Sequence, residues 1–594
     1  MRILGIHDGH NATACLYDSG KLVAMVSEER FSRRKNQSGF PVHTVRWLLQ
    51  EHGLRGTDID LVGVPGLVTP MQEFGEQTGP WYGLASTLSR LMPTAIMGSH
   101  GLRNAYVAIR RRREGRVQRL ADHLRPHGID GSKVRLVDHH TCHAHAAYWL
   151  DPRRRPTPTL VVTLDNTGDG LCGSVSIANG SGEVRRIAAF SSLHSIGMMY
   201  TAITRHLGLK AVEDEHKVMG MAPYARGPQS DRVYEILRRH LDLSPDHLAI
   251  VNRTGLWEDA YVQLFRRELA GFRFDHIAAG VQRLLEELVV VFLKAWSRHT
   301  GIRKLALGGG IFMNVKLNML IEASDDFDEV YFLPSCGDES IAAGAALHSA
   351  WETHRSAGRE FRPEALGSLF LGPAYPNEAA ERALAAYAGR LEWRKVDDVE
   401  GKTAQLLAAN LLVGRMSGRM EFGARALGNR SILARADSLN NVRRINAAIK
   451  MRDFWMPFAP AILWERRHDY AVNPKDTPAP YMILAFPSTP LGEKELLAAL
   501  HPFDLSCRPT FVEADVNPRF HRLLKSYEKI TGCGGVLNTS FNLHGDPIVC
   551  TPTEAIETYL NSDLDVLTIE DYLVWDRRRL GGRLPQAPDG EPLL

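Results

Sequence analysis

Leu160-Val161-Val162-Thr163-Leu164-Asp165-Asn166-Thr167-Gly168-Asp169-Gly170 is an apolar run closed by an acidic, glycine-containing turn, and its plan occurs twice in the chain. Five apolar or β-branched residues followed by turn formers predict a strand that stops abruptly. Downstream come residues 173–178, the turn Asn179-Gly180-Ser181-Gly182 and a further strand. Near the N-terminus, residues 3–6 run into His7-Asp8-Gly9-His10, and residues 13–17 and 22–26 flank the turn Asp18-Ser19-Gly20-Lys21. Two copies of strand, acidic turn and hairpin predict a duplicated α/β domain whose acidic turns face one cleft.

That pattern resembles the plan of actin and the heat-shock chaperone ATPases. Helical spacing of Ile277, Val281, Leu284, Leu285, Leu288 and Phe292 predicts a core helix over residues 275–296. Leu305-Ala306-Leu307 reads as a strand feeding Gly308-Gly309-Gly310 and a helix, and residues 330–332 lead into Gly337-Asp338. The pattern loosens after His354. We therefore divide the chain into a first domain over 1–360, a linker over 361–376, a second α/β domain over 377–576 and a loose tail over 577–594. Strands are expected near 411–416, 459–463 and 536–537 in the second domain.

With 594 residues, 44% hydrophobic and 23% charged, the chain has the make-up of a multidomain soluble protein. A net charge of +3 argues against a dedicated nucleic-acid partner. The apolar run 289–293 is far too short to cross a bilayer, so no membrane partner is expected. Seven cysteines without paired spacing fit a reducing cytoplasm.

Asp138-His139-His140-Thr141-Cys142-His143-Ala144-His145 places four histidines in seven residues. On a helix, His139 and His143 fall one turn apart on the same face, a spacing at which two imidazoles grip one metal ion. A surface segment whose histidines merely titrate is the plain alternative. Asp165 and Asp338, each shortly after a strand, complete a nitrogen and oxygen set suited to iron, manganese, magnesium or zinc. Strand-end aspartates also cap helices. The turn Gly308 to Gly310, with Asn314 beyond it, lets backbone approach a planar or phosphorylated ligand. A second constellation contains Gly418-Arg419-Met420-Glu421-Phe422-Gly423-Ala424-Arg425-Ala426-Leu427-Gly428-Asn429-Arg430-Ser431, then Lys450, Arg452, Arg508 and Asn538-Thr539-Ser540-Phe541-Asn542. Guanidinium forks and bare amides both match phosphate oxygens, so these residues predict an anion cradle.

These blocks carry a resemblance over nearly the whole length. Gly9-His10-Asn11-Ala12, Glu28-Glu29-Arg30-Phe31 with Arg34-Lys35, the 138–144 block, Asp165 to Asp169, and Lys217-Val218-Met219-Gly220-Met221-Ala222-Pro223-Tyr224 are similar to those of the ATP-dependent O-carbamoyltransferases of antibiotic and nodulation-factor biosynthesis. So are Gly309-Gly310, Gly337-Asp338, the 418–431 block, Ile449-Lys450 with Arg452, and Leu537 to Asn542 with Pro547-Ile548-Val549. Asn11 stands where aspartate is common, Ala424 where proline is common and Asp546 where glutamate is common, and the first leaves the orientation of His10 open.

The resemblance implies a Kae-type N-terminal domain, like the metal-dependent transferase of tRNA threonylcarbamoyl synthesis, and a YrdC-like C-terminal domain. It implies that carbamoyl phosphate and ATP give carbamoyl adenylate at Arg425, Arg430, Ser431, Lys450, Arg508 and Ser540, with Lys35 reaching in from the first domain. The adenylate would then meet a divalent metal, iron ahead of magnesium or manganese, at His139, His143, Asp165 and Asp338. Gly308, Gly309, Gly310 and Asn314 would hold the adenosine. His10, with His7 as its rival, would be general base toward a hydroxyl of a small molecule of macrolide, ansamycin, aminoglycoside or cephem type. Residues 65–97, with Phe74, Trp81, Tyr82 and Met92, are the candidate acceptor pocket. A homodimer is allowed for. A tRNA-modifying enzyme and a non-catalytic nucleotide sensor are the competing readings, disfavoured by near-neutral charge and by the paired metal and phosphate sets respectively.

Overall fold

In a computed structural model, which describes residues 1–70, 100–154, 157–180, 182–576 and 578–579, the repeated plan is realised as two sheets of one design. β1 (Arg2–His7) pairs antiparallel with β2 (Thr13–Asp18), and β2 with β3 (Lys21–Ser27). On its other side β1 runs parallel to β4 (Leu61–Pro65), which runs parallel to β5 (Val134–Val137). The second sheet repeats this with β6 (Thr159–Gly168), β7 (Leu171–Ala178) and β8 (Val184–Ser191). A separate two-stranded ribbon, β9 (Leu241–Leu243) with β10 (Ile250–Asn252), precedes its parallel members β11 (Lys304–Gly308) and β12 (Glu329–Phe332). Order β3-β2-β1-β4-β5 in one sheet is thus matched by β8-β7-β6-β11-β12 in the other. In each, the strand that carries an acidic turn is the central one, so the turn opens at the sheet's middle.

The predicted long helix runs from Phe274 to Thr300 and ends at Gly301, whose φ of 71° closes it in the left-handed region. Helix Ile341–Ser356 crosses β1, β2 and β4, helix His139–Trp149 lies on β6 and β11, and the two pack on each other. The run Ile341-Ala342-Ala343-Gly344-Ala345-Ala346 makes that approach close. A Cβ on Gly344 would overlap the Cys142 carbonyl. The histidine helix is fixed at its start by Asp138, whose Oδ1 accepts from Thr141 N at 3.0 Å. Burial works against that carboxylate's charge, but Arg186 beside it holds it well below the usual range, and Arg103 pairs with its other oxygen at 2.8 Å.

Contacts divide the chain into two units: Met1–Glu28 with Asn36–Leu366, and Glu29–Lys35 with Gly367–Leu594. An uninterrupted first domain over 1–360 was expected; instead Glu29–Lys35 is embedded in the second unit. Phe31 packs against Met420, Ile548 and Cys550, and Arg30 donates to the Gly423 carbonyl at 2.7 Å. Arg33 donates to the Pro547 and Ile548 carbonyls, both at 2.8 Å, and pairs with Glu554. Lys35 follows that clamp, so it is a residue of the second unit that needs no reach from the first.

The second unit is built on an eight-stranded mixed sheet. Its strands are β13 (Glu392–Lys395), β14 (Val413–Met416), β15 (Arg430–Ala434), β16 (Ala459–Leu463), β17 (Thr510–Val512), β18 (Gly535–Ser540), β19 (Val566–Ile569) and β20 (Tyr572–Trp575), in the order β13-β20-β19-β14-β15-β18-β16-β17. Helices Val399–Ala408 and Pro518–Thr531 cover one face: Leu406, Leu407, Phe520, Leu523 and Leu524 meet Val413, Leu433, Ala461, Val536 and Val566. No helix among the described residues is long and apolar enough to cross a membrane.

Candidate functional site

Helix His139–Trp149 and the ends of β6 and β12 bring four side chains to one point. One ligand atom each from His139, His143, Asp165 and Asp338 lies within 4.8 Å of all the others. Both imidazole Nε2 atoms are 3.2 Å from Asp165 Oδ2, and they stand 3.5 and 3.4 Å from Asp338 Oδ1. Such separations are those of donors set about 2.1 Å from a shared centre. Asp338 Oδ1 is buried without a hydrogen bond. Burial alone would lower His139, yet Asp338 and Asp165 hold it up at about 9, and they raise His143 against the same burial. Two carboxylates facing two imidazoles therefore call for positive charge, and this donor set fits a divalent cation. His140 and His145 are turned away: His140 bonds Thr163 and Leu171, and His145 bonds Trp149 and His348.

Asp169 was quoted only as part of a motif, but it organises the same region. Its carboxylate accepts from Leu67 N at 2.9 Å and from His139 N at 3.0 Å. The second aspartate of the Asp165 turn was the only signal for it. Gly309, at φ 101°, and Gly310 close against Leu164 and Asp165, where a Cβ would collide. Asn314 departs from the expectation of an adenosine ligand. Its Oδ1 caps helix Val315–Glu322 through Leu317 N at 3.0 Å, and its amide is paired with Gln282. His7 is buried and donates Nε2 to the His10 carbonyl at 3.0 Å, whereas the half-buried His10 imidazole has no hydrogen-bond partner among the described residues. Of the candidate acceptor pocket, residues 71–97 lie outside the described residues.

In the second unit, five cations converge. Burial pushes Lys450 down, as do Arg452 and Lys35 beside it. Burial likewise lowers Arg508, with Arg425 and Arg452 adding like charge, and it brings Arg452 to about 10. Lys450 Nζ reaches Ser540 Oγ at 3.1 Å and Asn542 Oδ1 at 2.6 Å, and Arg452 donates to Thr539 Oγ1 at 3.1 Å. Arg508 Nε is buried without a partner. The neighbouring charges that lower Lys450, Arg452 and Arg508 are lysine and arginine, a setting suited to an anion.

The folded unit holds its proton on Lys450 less tightly than the unfolded chain does. Between that depressed pKa and the ordinary 10.5, stability therefore rises with pH. Pyrophosphate should reverse the depression, so its binding should take up protons. Calorimetry in buffers of different ionisation enthalpy should show that uptake for wild type and none for Lys450→Met.

Arg430 and Ser431 depart from the expected cradle. Both are fully buried. Arg430 gives Nη1 to the carbonyls of Ser417, Gly418 and Asn429 and Nη2 to that of Pro373. Ser431 Oγ accepts from Gly428 N at 3.0 Å. Glu421, which had no assigned role, closes the same loop: its Oε1 accepts from the backbone N–H of Leu427, Asn429 and Arg430. These residues shape the loop that presents Arg425. Arg430→Ala should therefore destabilise the protein by on the order of 3 kcal/mol, read as a fall in Tm, because four carbonyls lose their donor.

The sequence matches the family model "Carbamoyltransferase N-terminus" over residues 2–347 and "Carbamoyltransferase C-terminus" over residues 404–576. Nodulation protein NolNO of Sinorhizobium fredii is 30% identical over 96% of this chain and 79% of its own length. Nodulation protein NolO of Bradyrhizobium diazoefficiens is 33% identical over 74% of this chain and 79% of its own. Nodulation protein U of Rhizobium tropici is 26% identical over 92% and 91%. Both halves of the family's architecture are present in order, and the chain belongs to the carbamoyltransferase family.

Proposed function

We propose that the protein is an ATP-dependent O-carbamoyltransferase that works at two sites and tailors a hydroxyl of a small secondary metabolite. The observation that carries this reading is the coexistence, in one carbamoyltransferase chain, of like-charged cations gathered about the buried Lys450 and a separate His139, His143, Asp165, Asp338 set. On this reading the second unit is YrdC-like and the first is of the actin-like Kae type, in keeping with its duplicated sheet order.

In the second unit, water would cleave carbamoyl phosphate to carbamate and phosphate. A carbamate oxygen would then attack the α-phosphorus of ATP, forming carbamoyl adenylate and releasing pyrophosphate. Lys35, Arg425, Lys450, Arg452 and Arg508 would balance the negative charge gathered there, and Ser540 would orient Lys450. In the first unit, Gly308 to Gly310 would let the adenylate lie close against the backbone. His139, His143, Asp165 and Asp338 would hold a divalent ion, which when bound supplies positive charge toward the adenylate's phosphate and carbonyl oxygens. The acceptor oxygen would attack the carbamoyl carbon with loss of AMP, and His10 would take the hydroxyl proton. His10 is favoured over His7 because its imidazole has no internal partner, while His7 is engaged with the His10 carbonyl.

Incubating the protein with ATP, carbamoyl phosphate and a panel of macrolides, ansamycins, aminoglycosides and cephems tests this by mass spectrometry. A gain of one carbamoyl group on a panel member is the expected result. Its absence across the panel, with no AMP formed, would count against the transfer reading.

A further inference from the structure

The cation cluster answers the phosphate of an acyl phosphate but offers little to the rest of the molecule. Lysine and arginine are donors only, whereas a carbamoyl group carries an NH2 that needs an acceptor. One buried acceptor stands beside the cluster without a partner. Asn538, on β18, is 1% exposed. Its Nδ2 donates to the Ala426 carbonyl at 3.0 Å, which fixes the amide's orientation, and its Oδ1 is buried with no hydrogen bond.

Its neighbours place this oxygen at the cluster. Ala426 directly follows Arg425 in the chain. Ser540, two residues along β18 and so on the same face of the sheet, is bonded to Lys450; Thr539 between them faces the other way and is bonded to Arg452. Across the sheet Asn538 faces Ala459 of β16 on one side and Leu433 of β15 on the other.

We propose that Asn538 Oδ1 accepts a hydrogen bond from the carbamoyl NH2, and that this contact selects carbamoyl phosphate over acyl phosphates lacking an N–H. The inference rests on the proposed function, since it assumes that the cluster binds carbamoyl phosphate. Acetyl phosphate presents the same phosphate and carbonyl but a methyl group in place of the NH2. Bound there, it would leave Oδ1 desolvated and unpaired. Sites built to bond a substrate N–H discriminate strongly against analogues without it. The plainer role for Asn538 is to tie the loop at Ala426, and the two roles separate experimentally.

The test measures ATP-dependent pyrophosphate release, taking the KM for carbamoyl phosphate and the Ki of acetyl phosphate as competitor. Asn538→Ala should raise that KM by about tenfold or more while moving the acetyl phosphate Ki by less than about twofold. Asn538→Asp keeps an acceptor oxygen but cannot donate to Ala426, and it should retain the preference for carbamoyl phosphate. A rise of both constants together in Asn538→Ala, or loss of the preference in Asn538→Asp, would assign the residue to the loop and overturn the inference. So would an Asn538→Ala variant with neither constant changed. A wild-type protein that releases no pyrophosphate with carbamoyl phosphate would instead remove the functional reading beneath it, and the inference with it.

Discussion

Replacing His143 with alanine is expected to remove the bound metal and to lower carbamoyl transfer by about 100-fold or more, while leaving carbamoyl-phosphate-dependent pyrophosphate release intact. The asymmetry follows from position. His143 is fully buried on the first unit's helix and makes its polar contacts with Asp165 and Asp338, so its loss breaks a four-member set. The cations assigned to adenylate formation are built from segments of the second unit. Metal analysis of the purified variant, alongside both half-reactions on an acceptor that wild type carbamoylates, checks the claim. Equal loss of the two half-reactions would mean that the sites do not divide the labour.

Arg508→Ala should have the opposite signature. Its guanidinium sits against Arg425 and Arg452, with burial and like charge both lowering its pKa and its Nε unpartnered. Removing it should raise the Tm of the ligand-free protein, because a like charge among neighbouring arginines is relieved, and yet cut pyrophosphate release by about 10²- to 10³-fold, because a charge aimed at phosphate is gone. Pyrophosphate should correspondingly stabilise wild type more than the variant. Arg508→Lys, which keeps the charge without the planar fork, should fall between them. A variant whose ligand-free Tm falls while pyrophosphate release holds would make Arg508 a structural residue.

What the chain discloses before folding depends on how local each device is. The hairpins after Ile6 and Leu164 were legible because apolar runs and turn residues lie side by side in sequence, and the doubled sheet order follows the doubled pattern. His139 and His143 were legible for a similar reason: one helical turn separates them, and Asp138 announces the helix start. Arg430 misled. Its arginine-and-glycine neighbourhood suggests a ligand loop, but Ser431-Ile432-Leu433-Ala434 makes it the first residue of β15, with its side chain turned inward to backbone carbonyls. Asn314 misled in the same way, since an asparagine before an apolar helix is a cap. The clamp at Arg30, Phe31 and Arg33 had no local signature. Its partners at Gly423 and Pro547 to Ile548 lie roughly 400 to 500 residues away, and only folding brings them together.

The most direct test of the two-site account is pyrophosphate release by the purified wild-type protein given ATP and magnesium, with and without carbamoyl phosphate and with no acceptor present. The account predicts release that depends on carbamoyl phosphate and an equivalent of carbamoyl adenylate detectable by mass spectrometry. Pyrophosphate release indifferent to carbamoyl phosphate, or carbamoyl phosphate consumed without ATP, would contradict it.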